Sequence, residues 1–218
     1  MKVIVTTGPS YEPIDDVRRL TNFSTGELGV LLANQLAREG HEVFCLRGIS
    51  ATHPGALEGC RHLPFTTNDD LLAQLTRLSR EKQFNAVFHV AALCDFKVKT
   101  IENAEGGKLD SAKIDSRTDS LTLHLEPARK LIGELRTLFP QSILVGWKYE
   151  LAGSRSDALA KAWRQLRENR TDACVLNGRA WGDGFALCTP PDQIRELKDK
   201  ADLAQFLPGW LKACLHDA

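Results

Sequence analysis

Runs of apolar residues along the chain switch between two periods, and the switches mark out strands and helices. Residues 2–6 are a short β-branched run fit for a buried strand. From Thr25 the spacing becomes helical: Leu28, Leu32 and Leu36 fall at i, i+4 and i+8 with Leu31 beside them, and Gly40 supplies a stop. Strand character resumes over residues 41–46 and 60–65. A helix beginning at Asn68 or Asp69 then carries Leu71, Leu72, Leu75 and Leu78 toward Arg80. Residues 85–92, NAVFHVAA, form the clearest central strand; 142–147 and 172–176 are further buried strands with a helix near 156–168 between them. Strands alternating with helices of this length predict an α/β fold, a Rossmann-like three-layer sandwich with a mainly parallel sheet covered on both faces.

Two segments interrupt the alternation. Residues 96–120 are polar, contain Gly106-Gly107, and lead into Leu121, Leu123 and Leu125, whose alternation suits a half-exposed strand. They predict a protruding arm over about 96–125. Those leucines on one face of an isolated strand predict pairing with a second chain, hence a homodimer. Toward the end, residues 184–189 give a last short strand, Pro190-Pro191 breaks the chain, and residues 200–215 close it as a helix interrupted near Pro208-Gly209. Without repeats, low-complexity tracts or an obvious linker, residues 1–218 are expected to be one domain.

At 218 residues the chain can bury a substantial core. Lys+Arg and Asp+Glu each number 28, and this balance argues against a nucleic-acid-binding face. The six cysteines are dispersed, with no C-x-x-C pair, and are expected to be reduced and mostly buried. No membrane span or leader is recognisable, so a cytoplasmic location is expected.

The stretch from Thr6 to Gly29 places a long polar loop where a nucleotide-binding fold usually makes a tight turn. Gly8 and Gly26 lie eighteen positions apart, so the compact G-x-G-x-x-G dinucleotide fingerprint is absent. The pair Gly26 and Gly29 suits either close packing or an anion at a helix start. Ser24 and Glu27 have the spacing of a capping box, a competing use of the same N–H groups. Arg18, Arg19 and Asn22 stand just before that start, where they would meet phosphate or carboxylate oxygens, or else face solvent. Asp15-Asp16 read as loop or cap carboxylates, since no third ligand accompanies them to hold a cation. His89 reads as a core or wall residue, and Trp147 as either a core side chain or a packing surface for a base.

The ordered set of motifs resembles the phosphopantothenate-cysteine ligase family, also called phosphopantothenoylcysteine synthetase, the second activity of the bifunctional bacterial coenzyme A flavoprotein. Gly8-Pro9-Ser10-Tyr11-Glu12-Pro13-Ile14-Asp15 looks like that family's Gly-Gly-Thr-x-Glu-Pro-Ile-Asp. Arg18 and Asn22-Phe23-Ser24-Thr25-Gly26 look like its Arg and Asn-x-Ser-Ser-Gly element. Ala91-Ala92-Leu93-Cys94-Asp95-Phe96 is similar to Ala-Ala-Val-x-Asp-Phe/Tyr, Lys113-Ile114 to the start of Lys-Ile-Lys-Lys, and Val145-Gly146-Trp147 to Val-Gly-Phe.

The resemblance implies a ligase that activates the carboxylate of 4'-phosphopantothenate with a nucleoside triphosphate, CTP in bacteria generally and ATP in eukaryotes, with Mg²⁺, and then joins it to cysteine. It implies that Asn22 holds the acyl-nucleotidylate and that Lys113 reaches the nucleotide's base or phosphates. Arg18 would contact phosphate, Ala91, Ala92 and Asp95 would lie against the nucleotide, and Gly8, Ser24, Thr25, Gly26 and Trp147 would complete the cofactor-binding set; the metal ligands stay unassigned. It also points to a dimer whose arms reach the partner's site; with no decarboxylase domain ahead of these motifs, a free-standing ligase without flavin is expected. The sequence departs from the family pattern at Glu27 in place of lysine, at Asp115-Ser116, at Glu126-Pro127 and at Lys148-Tyr149-Glu150. Two other readings compete: a non-catalytic or altered-substrate nucleotide-binding homologue, and a short-chain reductase. The reductase lacks its Tyr-x-x-x-Lys pair, because Asp15 follows Tyr11 and Gly153 follows Tyr149 at that spacing.

Overall fold

A computed structural model describes residues 1–110 and 112–216; Ser111 of the expected arm, and Asp217 and Ala218 at the end of the expected 1–218 domain, lie outside the described residues. Its strands and helices run β1 (Lys2–Thr7), β2 (Tyr11–Pro13), β3 (Arg19–Thr21), α1 (Glu27–Arg38), β4 (Glu42–Gly48), β5 (Cys60–Phe65), α2 (Asn68–Glu81), β6 (Ala86–His89), β7 (Phe96–Glu102), β8 (Thr122–Pro127), α3 (Ile132–Leu138), β9 (Ile143–Tyr149), α4 (Arg155–Asn169), β10 (Ala173–Asn177), β11 (Phe185–Thr189), β12 (Gln193–Leu197) and α5 (Lys200–His216).

Eight strands form one sheet in the order β12-β11-β10-β9-β6-β1-β4-β5. The strands from β5 to β10 pair in parallel, whereas β11 and β12 join antiparallel. The pleat sends successive side chains of β1 to opposite faces. Val3 and Val5 pack with Leu32 and Leu36 of α1 and Leu203, Leu207 and Leu211 of α5. Ile4 packs with Leu71, Leu75 and Leu78 of α2 and Leu135 of α3. Helix α4 covers the β10–β11 end through Ala158, Ala162 and Leu166. The result is the three-layer sandwich that the alternating pattern predicts. Each of these fully buried leucines stabilises it by about 1.5–3 kcal/mol.

The ends of the helices follow local chemistry. Thr67 caps α2 by accepting the Asp70 N–H at 3.2 Å. Ser154 and Asp157 form a reciprocal capping box on α4. Pro208 does not interrupt α5, contrary to expectation; the helix runs through it. A proline removes one backbone donor, and here the buried row Leu203, Leu207 and Leu211 holds both halves against the sheet.

Three further expectations change. The opening loop contains the antiparallel β2–β3 hairpin. Pro190-Pro191 is a hairpin turn with a cis bond rather than the end of the sheet, because β12 follows and pairs with β11. The arm's leucine strand is not isolated: β8 pairs with β7 of the same chain in a separate two-stranded ribbon.

His89 sits in the middle of this core, 7 % exposed on β6, with Nδ1 at 2.9 Å from the Thr6 hydroxyl. Burial pulls its pKa down to about 4. The folded chain therefore keeps the ring neutral, while the unfolded chain takes a proton near pH 6.5. The stabilisation is complete above pH 6.5 and is lost as the pH falls toward 4. Urea unfolding is expected to show a loss of roughly 2–3 kcal/mol between pH 7 and 4.5 from this group, and His89→Gln should flatten that slope; a slope unchanged in the variant would assign the loss to other groups.

Candidate active site

In the sheet order, the chain moves from β1 outward through β4 to β5 and then returns to the other side of β1 as β6. The carboxyl ends of β1 and β6 flank this reversal, which is where open α/β sheets bind ligands. Here the two ends stay hydrogen-bonded past the named strands. Val90 N donates to Thr6 O at 3.1 Å, Ala92 N to Gly8 O at 3.0 Å and Ser10 N to Ala92 O at 3.3 Å. Gly8, Ala91 and Ala92 therefore stand together at the junction.

Helix α1 is pressed onto the same place. Gly8 and Gly26 both have φ of +78°; a Cβ on Gly8 would lie 2.7 Å from Ala51 Cβ, and one on Gly26 only 3.2 Å from Gly8 Cα. A Cβ on Gly29 would lie 2.1 Å from Thr7 Oγ1. The glycines thus serve close backbone packing. Gly26 is the N-cap residue and makes no side-chain cap on α1.

The expected Ser24–Glu27 capping box does not form. With Gly26 in the left-handed region at the N-cap, Ser24 falls two residues too early, and its N–H donates to Asn22 O at 3.0 Å. Thr25 Oγ1 accepts the Glu27 N–H at 3.3 Å. The Glu27 carboxylate pairs instead with Lys200 at the start of α5, a hydrogen bond that holds its pKa below the ordinary glutamate range.

The β2–β3 hairpin distributes the remaining candidates. At its base, Asn22 Nδ2 donates to Leu93 O at 2.8 Å and to Ala92 O at 3.4 Å, which fixes the amide at the carboxyl end of β6. At its tip, Arg18 Nη1 meets Asp15 Oδ2 at 3.0 Å and Nη2 donates to Ile114 O at 3.2 Å, directly beside Lys113 of the arm. Arg18 and Asn22 are separated by β3, about 13 Å of extended chain. Asp95 is exposed and pairs with Lys130 at 3.2 Å. Trp147 on β9 packs against the core beneath α1 and α5, with its buried Nε1 unpartnered among the described residues. The fold therefore joins Asn22 to Ala92, and Arg18 to the neighbourhood of Lys113.

Two concavities lie elsewhere. One of about 780 Å³ opens at the amino ends of the strands beside Lys2, Asn85 and Ser142, and one of about 620 Å³ runs along α2 beside Leu72 and Thr76. Among the described residues, no cluster of three or more His, Cys, Asp or Glu is placed to hold a metal.

Several contacts around this end of the sheet were invisible to sequence spacing. Lys200 meets Glu27 across 173 positions of sequence, and nothing local to either residue announces the other. Ser10 accepts the Cys94 N–H at 2.8 Å, tying the first loop to the segment after β6. Glu150 is held between Lys148 at 3.2 Å and Lys161 at the carboxyl edge of β9. Burial opposes its charge, but the two ammonium groups outweigh this and keep its pKa low.

A family model described as the DNA/pantothenate metabolism flavoprotein C-terminal domain matches residues 1–203. The coenzyme A biosynthesis bifunctional protein CoaBC of Thermococcus kodakarensis is 31% identical over 176 residues, 81% of this chain and 41% of that protein. This chain spans about two fifths of the length of the curated relatives first in similarity. Among solved structures, the DNA/pantothenate metabolism flavoprotein from Streptococcus pneumoniae superposes with a TM-score of 0.85 at 24% identity, covering 98% of this chain and 99% of that one. A Cab2 variant in complex with phosphopantothenate-cysteine superposes with a TM-score of 0.75 at 19% identity, covering 97% and 85% respectively. These superpositions establish the fold.

The crowding at the junction is directly testable. Gly26→Ala combines a left-handed backbone, costing about 1–2 kcal/mol, with contacts inside the normal Cβ range, so a total loss of about 2–3 kcal/mol is expected in urea unfolding. A midpoint equal to that of the unsubstituted protein would mean that α1 does not press on the Gly8 turn.

Proposed function

The chain belongs to the DNA/pantothenate metabolism flavoprotein C-terminal domain family, and from that premise we propose that it joins 4'-phosphopantothenate to cysteine at the expense of a nucleoside triphosphate, with CTP as the nucleotide. The observation that carries the proposal is Asn22. Its amide is held by the carbonyls of Ala92 and Leu93 at the reversal of the sheet, next to a helix start whose N-cap residue, Gly26, has no side chain and where the Thr25 hydroxyl takes the Glu27 N–H. Such a start offers backbone N–H groups to an anion, so the residues present fit a triphosphate.

In the proposed reaction a phosphopantothenate carboxylate oxygen attacks the α-phosphorus and pyrophosphate leaves. The cysteine nitrogen then attacks the acyl carbon, loses a proton, and the nucleoside monophosphate departs with its phosphate oxygen. Charge builds on phosphoryl and acyl oxygens in both steps, and fixed donors stabilise it. Asn22 supplies such a donor to the acyl-nucleotidylate by releasing the longer of its two carbonyl contacts, that to Ala92 O at 3.4 Å, Lys113 a mobile ammonium for the phosphates, and Arg18 a guanidinium at the hairpin tip. Gly8, Ser24, Thr25, Gly26, Ala91, Ala92 and Asp95 form the wall against the nucleotide, with Trp147 packed behind it. Magnesium, which commonly binds through substrate phosphates and one or two carboxylates, would travel with the triphosphate. The thiols of Cys45, Cys60, Cys94, Cys174 and Cys188 are outside any disulfide, as suits a reducing cytoplasm.

One observation favours a second reading, a nucleotide-binding homologue that does not complete the reaction: Glu27 places a carboxylate at the first residue of α1. A pyrophosphate-release panel separates the two. CTP and ATP are tested with phosphopantothenate, with and without cysteine. Turnover with CTP, lowered at least 100-fold by Asn22→Ala and about tenfold by Lys113→Gln, is expected, on the scale of single transition-state donors. Nucleotide binding in calorimetry with background pyrophosphate release would favour the second reading.

A second copy of this chain is the proposed cover for the arm. Two-stranded ribbons are marginal alone, and this one leaves Phe96, Leu121 and Leu125 exposed at 53%, 39% and 45%. Light scattering should give twice the monomer mass at micromolar concentration, and Leu125→Glu should shift it toward the monomer. A monomeric mass for the unsubstituted protein would remove the dimer from the proposal.

A further inference from the structure

The carboxylate of Asp15 is the most completely satisfied charged group near the proposed site, and the reaction as written gives it no task. Its side chain is fully buried, while that of Arg18 is 36% exposed. Oδ1 accepts the N–H of Val17 at 2.9 Å and of Arg18 at 2.6 Å, which shapes the hairpin tip. Oδ2 accepts Arg18 Nη1 at 3.0 Å and the N–H of Ile114 at 3.2 Å. Arg18 Nη2 closes the ring of contacts by donating to Ile114 O at 3.2 Å, and Asp16 N donates to Ala112 O at 2.9 Å. Ile114 itself is 2% exposed.

The contacts bracket Lys113. Its two neighbours, Ala112 and Ile114, are bonded to the hairpin through the backbone, and Ile114 also buries its side chain, while Lys113 is exposed between them. The lysine has a flexible stem, so the region its ammonium can sweep is set by where its backbone is pinned. Burial works to raise the Asp15 pKa, but the N–H groups of Val17, Ile114 and Arg18 and the Arg18 charge outweigh it and keep the carboxyl ionised at neutral pH.

We infer that Asp15 is a positioning residue: by clasping residues 112–114 to the β2–β3 turn, it fixes the place from which Lys113 reaches the nucleotide. The inference rests on the proposed reaction, in which Lys113 meets that nucleotide. It also gives Arg18 a second task, since the guanidinium is the other jaw of the clasp and is not free to follow phosphates without opening it.

The test compares the unsubstituted protein with Asp15→Asn, Lys113→Gln and the double variant. CTP-dependent pyrophosphate release, resolved into kcat and KM, is measured beside the rate of trypsin cleavage after Lys113 and Arg117. Asp15→Asn is expected to lower kcat/KM about as much as Lys113→Gln does, roughly tenfold. The double variant should be no worse than Lys113→Gln alone, because a clasp has nothing to position once the ammonium is gone. Trypsin should cut Asp15→Asn several-fold faster at both sites with the urea midpoint held.

Ile114→Ala loosens the same clasp from the arm's side and should give the same kinetic and cleavage signature. It decides the matter if Asp15→Asn lowers the urea midpoint. Effects of Asp15→Asn and Lys113→Gln that multiply in the double variant, or full activity with unchanged cleavage in both loosened variants, overturn the inference and leave the proposed reaction standing. An unsubstituted protein that releases no pyrophosphate sinks the proposed reaction and, with it, the kinetic role assigned to Asp15.

Discussion

The close approach of two backbone segments, the turn at Gly8 and the start of α1 at Gly26, constrains everything around the candidate site. With 3.2 Å between Gly8 Cα and the position of any Cβ on Gly26, the end of β1 and the start of α1 nearly touch, yet the chain does not join them by a short turn. It leaves the sheet instead, runs out and back as β2–β3, and re-enters through Asn22. The polar residues of the opening stretch are a consequence of that detour. They satisfy the hairpin's own backbone groups at the tip and reach the end of β6 at the base.

The same constraint divides the site's charges into two kinds. Glu27–Lys200 and Asp95–Lys130 are partly exposed pairs, of a class worth about 0–1 kcal/mol, so an incoming anion can rearrange them at little cost. Asp15 is different in kind, because its carboxylate is enclosed and saturated by donors from two segments. Removing one partner of a buried charge leaves the other unpaired, a far larger penalty than losing a surface pair.

The parallel sheet was legible because its strands are continuous apolar runs and its helices carry regular leucine spacing. Residues 60–65 and the helix from Asn68 match β5 and α2 almost to the residue. The three-residue strands β2 and β3 are too short to show a period, and β12 is hidden by exposed, charged residues after a proline pair. Helix α3 is only seven residues long and escaped for the same reason. Near the proposed site, motif order singled out Asn22, Arg18 and Lys113, which the fold sets at the hairpin's base, at its tip and beside that tip, but the capping box misled. Ser24 and Glu27 have the right spacing, yet the left-handed Gly26 moves the cap past Ser24 and frees Glu27 for a lysine 173 positions away. Local spacing cannot register a competitor that arrives only through tertiary packing.

That competitor also bears on how an acidic residue can stand at the proposed nucleotide site. A lone carboxylate at the first turn of α1 would take up the helix's positive end itself and repel a triphosphate. Lys200 converts it into a neutral pair whose ammonium lies at the same surface, and the lysine keeps further donor capacity after bonding Glu27. The carboxylate on α1 is therefore neutralised from α5, which leaves no net negative charge at the helix start. The packing of α1 on α5 through Leu32, Leu36, Leu203 and Leu207 brings the two partners into reach, so the electrostatics of the crevice depend on a hydrophobic contact on one face of the sheet.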